Sequence, residues 1–315
     1  MLKLRLFILP LALLTAAFGQ ASKPAPIGPQ RAIKLAQSGH CEEAVPALKR
    51  ASQVGADEST KRTAAFAGVR CAMLINQTGT AVDFLQMLNR EFPNDPEVLS
   101  LSVHTYSDLS TRAAQQLAMT APNSAEAHKL NAEALEAQGK WDAAEKEYRF
   151  VLQQNPQMPG IHFLLGRLLL SKPDPAPTVA EGAKKEFQEE LAIDPMNAGA
   201  EYVLGELARQ ESQWPDAIEH FTRASKLDAG FGDAFLGLGV SLISAKRFTE
   251  AIPPLETAVK LEPRNPGAHY NLAQAYNRAG RKQDADKEFA VHRQMTEKAG
   301  TKADSPPGTP PENSN

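Results

Sequence analysis

An all-α solenoid of stacked antiparallel helix hairpins is the fold class this sequence predicts, and three observations predict it. The first is a repeat. Leu204-Gly205, Leu238-Gly239 and Leu272-Ala273 follow one another at intervals of 34 residues, and Ala217, Ala251 and Ala285 keep the same interval, as do Phe221, Leu255 and Phe289. Three columns in step make the period a property of the chain rather than of one motif. The second is the pattern inside each unit: apolar residues at helical spacing in two runs, such as Tyr202, Leu204 and Ala208 and then Ala217, Phe221 and Ala224, separated by a polar turn. Two antiparallel helices follow from that. The third is composition. With 42% hydrophobic and 23% charged residues in 315, the chain has enough apolar side chain for a large core and is not disordered throughout. One hairpin cannot bury both of its faces, so the units must stack.

Taken in order, the elements begin with residues 1–21, read as a secretory signal peptide. Lys3 and Arg5 precede an apolar run from Leu6 to Phe18, and the small residues Ala16, Ala17, Gly19 and Ala21 supply a cleavage region. Spanning a bilayer needs roughly 20 apolar residues, more than this run offers, so no stable membrane insertion is expected after cleavage and a periplasmic or secreted location is. Residues 22–29 form a linker. Residues 30–122 hold degenerate hairpins: Gly39, Cys41, Ala44, Leu48 and Ala51 fit the second half of a unit, Ala64 to Leu88 with Pro93 fits another, and Pro96 to Pro122 reads as a shortened one. Residues 123–298 form the regular array. His128, Leu135, Gly139, Trp141, Ala144, Tyr148 and Pro156 open it, and Leu165-Gly166 stands 39 residues before Leu204 because five extra residues fall in the Pro-rich stretch Lys172 to Pro177. Eight hairpins are expected in all. Residues 299–315, with Ser305-Pro306-Pro307-Gly308-Thr309-Pro310-Pro311, offer nothing apolar to bury and are expected to be a disordered tail.

The pattern resembles the tetratricopeptide repeat (TPR), whose signature is W-x2-L-G-x2-Y, then A-x3-F, then a closing Pro. The resemblance runs from about Asn123 to His292 and is carried by Leu204-Gly205, Ala217 and Phe221, by His269, Leu272, Tyr276, Ala285 and Phe289, and by Pro156, Pro195 and Pro263; Ala229 stands where one closing Pro is expected. It implies a right-handed superhelix of the exported bacterial type.

Few residues invite chemistry. Cys41 and Cys71 lie 15 residues before and after Ala56, where the turn between two helices is expected, so antiparallel helices bring them level. A disulfide in an exported chain and a pair of small buried apolar residues both fit. His128, His162 and His269 occupy one column. Equivalent positions of successive repeats are separated by a helix, too far apart to share a metal ion, so they read as packing residues in place of Trp. His40, His104, His220 and His292 share no ligand spacing. Gly230, Gly232, Gly237 and Gly239 fail as a nucleotide loop because Phe235 stands where the third Gly belongs and no strand precedes them. Glu189-Glu190 reads as a solvated face. No hydrolase, Walker or zinc-protease motif occurs, so no catalytic residue, metal or cofactor is assigned, and no small-molecule substrate is evident. A formal charge of −3 supplies no footprint for nucleic acid.

The resemblance also implies where a partner would bind. In this family the first helix of each hairpin lines the inner, concave surface, and Phe163, Tyr202, Leu236 and Tyr270 hold equivalent places on it, expected to point away from the packing between helices. Arg167, Glu206, Arg209, Gln274, Asn277 and Arg278 lie about one turn further along. The expected function is a non-catalytic scaffold that takes a protein or peptide in this groove. The rival expectation is a structural component of a cell-envelope or secretion assembly.

Overall fold

The computed structural model of the protein describes residues 26–53, 57–173 and 179–303. The leader expected over 1–21 and residues 304–315 of the expected tail lie outside these. All fifteen elements among the described residues are α-helices, and they fall into two compact units divided after Gln115.

The N-terminal unit contains α1 (Pro29–Gln37), α2 (Cys41–Gln53), α3 (Glu58–Leu74), α4 (Thr78–Glu91) and most of α5 (Pro96–Thr120). Gly39 and Asn76 turn the chain between α1 and α2 and between α3 and α4 with φ of 82° and 59°, the left-handed conformation that stops a helix after its last carbonyl is capped. Ile33, Leu48, Val69, Phe84, Leu85, Leu88 and Val98 form the core. The helices approach closely where a side chain is missing: a Cβ on Gly68 would lie 2.6 Å from the Phe84 ring. Asp57 caps α3 by accepting from the Thr60 amide, and Arg62 ties α3 to the start of α5 through Asp95 at 2.8 Å and Glu97 at 2.7 Å.

One expectation fails here. Residues 96–122 do not form a shortened hairpin; α5 is a single helix of 25 residues. Between Pro96 and Pro122 there is neither Gly nor Pro, so nothing interrupts the helix. Its inner side carries Val98, Ser102 and Thr105, with the Ser102 hydroxyl donating to Asn89 at 2.9 Å. Leu99, Val103 and Tyr106 are exposed on the other side.

The C-terminal unit contains five hairpins: α6 (Ala125–Ala137) with α7 (Trp141–Gln154), α8 (Ile161–Ser171) with α9 (Val179–Ile193), α10 (Ala198–Gln210) with α11 (Trp214–Leu227), α12 (Gly232–Ser244) with α13 (Phe248–Leu261), and α14 (Pro266–Arg278) with α15 (Lys282–Ala303). The described residues therefore hold seven hairpins and one unpaired helix, not eight hairpins. Helix α15 also continues five residues past the expected end of the array at 298. Each hairpin packs most heavily on itself and next on its sequence neighbour, the stacking that the repeat requires. Side chains of Ser124, Asn197 and Asn265 cap α6, α10 and α14.

The repeating columns are the packing. Phe187 and Phe221 are fully buried, each contributing roughly 1.5–3 kcal/mol by leaving water, and they fit because glycine faces them. A Cβ on Gly166 would lie 2.9 Å from the Phe187 ring, and the Phe221 ring is wedged between Gly205 (2.9 Å) and Gly237 of the next hairpin (2.6 Å). Leu255 fills the space that a Cβ on Gly239 would need in the same way. The glycines of α12 thus admit neighbouring helices.

Candidate partner-binding face

The ten residues expected on the groove all lie on the first helices of their hairpins, α8, α10, α12 and α14, and α12 packs against both α10 and α14. Their side chains differ in availability. Phe163 is half-buried, edge-on to Phe187 with ring centroids 5.6 Å apart, and its ring also covers Gly199 of the next hairpin. Tyr202 is half-buried between Phe221 at 5.7 Å and Phe231 at 4.8 Å. Burial pushes its hydroxyl up, helped by the carboxylates of Glu206, Asp233 and Glu262. Leu236 joins the core of the last two hairpins. Tyr270 is 42% exposed, with Phe289 at 6.0 Å and His292 at 5.3 Å. The rings therefore do not point clear of the packing between helices: each aromatic one rests on the Phe of its own hairpin's second helix. Equivalent sequence positions place them on one edge of that packing, and only Tyr270 presents a large open surface.

The polar members divide in the same direction along the array. Arg167 on α8 is held by Glu136 on α6 at 3.0 Å, and Glu136 also receives the Tyr148 hydroxyl. Arg209 and Glu206 pair with each other at 2.7 Å, which holds the Arg209 guanidinium above its usual range. No side-chain hydrogen bond or ion pair engages Gln274, Asn277 or Arg278 among the described residues, and Asn277 and Arg278 are exposed. Tyr270, Gln274, Asn277 and Arg278 thus form an open stretch of α14 with an apolar ring, amide donors and acceptors, and one cation.

Two other sequence readings take definite form. Cys41 at the start of α2 and Cys71 near the end of α3 are joined by a disulfide, with Cα atoms 5.0 Å apart and both residues buried. The bridge joins α2 to α3, the two helices expected on either side of Ala56, which itself lies outside the described residues. The histidine column, by contrast, is not simple packing. His128, His162 and His269 each place Nδ1 at 2.5–2.6 Å from a carboxylate on the second helix of the same hairpin, Glu147, Glu186 and Glu288. His220, assigned no role from its spacing, makes the same contact in reverse from α11 to Glu201 on α10, at 2.6 Å. The partners stand 19 residues apart, or 24 where the five-residue insertion intervenes, a signal that is present in the sequence when it is read across a hairpin rather than along the array.

Glu190 also departs from expectation. Glu189 is exposed, but Glu190 is fully buried and accepts from the amides of Gly160 (2.8 Å) and Phe163 (3.2 Å) at the start of α8. A helix N-terminus leaves amides without partners and favours negative charge, which this carboxylate supplies from α9. Among the described residues, no group of three or more His, Cys, Asp and Glu side chains is arranged to hold a metal ion, and no helix is long and apolar enough to cross a membrane.

Comparison with known proteins agrees with this architecture. Models of the tetratricopeptide repeat match residues 129–198 and 202–260 and, overlapping the latter, 242–294, together just over half of the chain. Among solved structures, a crystal structure of MamA is similar at 22% identity with a TM-score of 0.50, over 59% of this chain and 98% of that one. YrrB, described as a TPR protein with an unusual peptide-binding site, is similar at 17% identity and a TM-score of 0.50, over 58% of this chain and 92% of that one. At such identities the likeness is one of fold. No curated protein matches the sequence significantly. Columns, hairpins and family models agree, and the chain belongs to the tetratricopeptide repeat family.

Proposed function

We propose that the protein is a non-catalytic interaction scaffold that takes a peptide segment of a partner protein along the inner face of its C-terminal array, with α14 as the principal contact. The observation that carries this reading is the contrast along the face: Arg167, Glu206 and Arg209 are consumed by internal ion pairs, whereas Tyr270 is open beside Gln274, Asn277 and Arg278. An exposed ring flanked by amides suits a peptide, whose apolar side chain lies on the ring while its backbone bonds to the amides. The peptide-binding site named for YrrB supports the class of partner. The apolar segment Leu6 to Phe18 and the Cys41–Cys71 bridge support an exported location, since disulfides persist in oxidising compartments.

Crosslinking and recovery of partners from the native envelope fraction, with wild type against Tyr270→Ala and Asn277→Ala, tests the reading. Recovery should fall at least several-fold for both variants with thermal stability little changed. Unchanged recovery refutes it and favours the second reading, a structural component of an envelope or secretion assembly, for which the exposed row Leu99, Val103 and Tyr106 on α5 is the alternative contact.

A further inference from the structure

Helix α5 begins as α14 does. The Asp95 side chain accepts from the amides of Glu97 (2.8 Å) and Val98 (3.3 Å), and that of Asn265 accepts from the amides of Gly267 (3.0 Å) and Ala268 (3.2 Å). A proline follows each cap, Pro96 and Pro266, so the two helices can be compared position by position. Their inner sides agree: Val98, Ser102 and Thr105 are buried, as are Ala268, Leu272 and Ala275. Their other sides do not. Leu99, Val103 and Tyr106 are exposed, whereas the counterparts His269, Ala273 and Tyr276 are buried. In the regular hairpins these positions meet the second helix. His269 contacts Glu288 on α15. Gly205 and Gly239, in the place of Val103, receive Phe221 and Leu255, and Ala208, in the place of Tyr106, packs with Ala217 and Phe221. Helix α5 is thus a first helix whose second-helix place is open among the described residues.

We propose that a second copy of this chain fills that place with its own α5, so that two antiparallel α5 helices close a dimer. The exposed row supplies the seam. Leu99, Val103, Tyr106, Ser110 and Ala113 are all exposed and follow at intervals of four, three, four and three residues, the spacing that keeps one stripe of a helix against a partner helix. The row is also complementary to itself. Regular hairpins put the small residue on the first helix and the large one on the second; α5 carries Val103 and Tyr106 where those first helices carry Gly205 and Ala208, so the incoming helix must be small. A two-fold axis beside Asp108 sets Val103 against Ala113 of the second copy and Tyr106 against Ser110, which closes the pairing between identical surfaces. Charge agrees. Helical spacing puts Glu97, His104, Asp108 and Arg112 on the far side of α5 from the row, where Arg112 and Asp108 pair with each other at 3.1 Å. The open place therefore matches an uncharged helix face, which α5 itself presents, and a charged occupant would lose its water with nothing to pair it. With 48%, 67% and 46% of Leu99, Val103 and Tyr106 exposed, each copy offers roughly 300 Å² of side-chain surface here, less than the roughly 800 Å² per partner of a stable complex, so the dimer is reversible and depends on concentration.

Sedimentation equilibrium of the full chain over about 5–500 µM tests this, with a monomer–dimer dissociation constant expected at about 10–100 µM. Val103→Asp places a charge on each copy against the side chain facing it and should weaken the dimer by about tenfold or more. Tyr106→Lys should do the same, and Gln115→Asp, on the far side of α5, should leave it unchanged. All three positions are exposed, so the circular dichroism of each variant should match that of the wild type. The register is read separately: chains carrying Val103→Cys and chains carrying Ala113→Cys, mixed under mild oxidation, should link to each other and far less to themselves. A chain that stays monomeric up to about 500 µM overturns the proposal, as does a dimer that both Val103→Asp and Tyr106→Lys leave intact. A photocrosslinker at position 103 that captures another protein from the envelope fraction, with no linked pair of copies, overturns it as well and gives α5 to the structural-assembly reading. Tyr270 and Asn277 enter none of these readouts, so the peptide-binding reading and the dimer stand or fall independently.

Discussion

A ring carbon of Phe221 sits where a side chain on Gly237 would have to go, 2.6 Å from the ideal Cβ position, and that single distance explains why α12 tolerates its glycines. Glycine inside a helix costs about 1 kcal/mol relative to alanine, so Gly237→Ala should stabilise the protein if propensity decided the matter. It does not decide it, because overpacking a filled core costs about 1–3 kcal/mol and Phe221, fully buried between two helices, has nowhere to retreat. Gly237→Ala is therefore expected to lower the thermal midpoint, by an amount corresponding to about 1–2 kcal/mol. Gly79→Ala, in α4 with no atom within 4 Å of the added carbon, should leave it unchanged or raise it. Scanning calorimetry of the two variants checks both signs, and an equal rise for both would remove the close-approach account. At this scale the sequence is legible where one residue type has one reason to be in a column, as with the small residues facing Phe187, Phe221 and Leu255. It is less legible where a role needs two residues on different helices. The His–Glu contacts and the cap that Glu190 places on α8 depend on which side chains meet across a turn, and a column read along the array carries only half of each pair.

Helices, too, were legible to different degrees. The regular hairpins follow from their periodic stripes, and α2 and α3 from the expected turn near Ala56, which also brought Cys41 and Cys71 level. Helix α5 departs from the pattern for a plain reason: spacing between prolines suggested a hairpin and its left-handed turn, but residues 97–121 hold neither glycine nor proline to interrupt the helix. Elsewhere that turn falls on Gly39, Gly139 and Gly280, with Asn76, Ser212 and Lys246 adopting it at some strain. The short, degenerate N-terminal unit gains from its crosslink what the regular array gains from repetition. A bridge closing a separation of 30 residues restricts the unfolded chain by about 3–4 kcal/mol on the loop-entropy account. The double variant Cys41→Ser, Cys71→Ser should thus expose the amides of α2 and α3 to faster hydrogen exchange while those of α10 to α13 keep their wild-type rates. Uniform acceleration throughout, or none in α2 and α3, would contradict this assignment.

For the whole molecule, charge rather than packing sets the response to acid. Carboxylates in both units are held below their ordinary range by donors that the fold supplies. In the N-terminal unit, Asp57 is lowered by the Thr60 amide and hydroxyl, and Asp95 by Arg62 and the amides of Glu97 and Val98, which outweigh its partial desolvation. In the C-terminal unit, Asp142 is lowered by its hydrogen bond from Lys172, Asp284 by Arg281, and Glu250 by Arg247. Burial works against the ionised form of Glu145, but Lys172 and Arg149 more than offset it. Asp233 alone among the shifted carboxylates moves up, through burial and the nearby Glu262 and Glu206. The sign follows from linkage: a carboxyl group with a depressed folded value binds its proton more readily in the unfolded chain, so its contribution is present above the unfolded value, about 4, and disappears as the pH falls through the folded one. Six such groups against one make the net effect of acid destabilising, modestly for each exposed pair and cumulatively across both units. The urea midpoint should therefore fall steadily between pH 5 and pH 2.5. Replacing Asp142 and Asp284 by Asn should lower it at pH 5 and flatten its dependence on pH, because the variant has already lost what acid removes. A midpoint that is flat in the wild-type chain, or one that rises toward pH 2.5, would mean that these surface donors contribute nothing to the folded state.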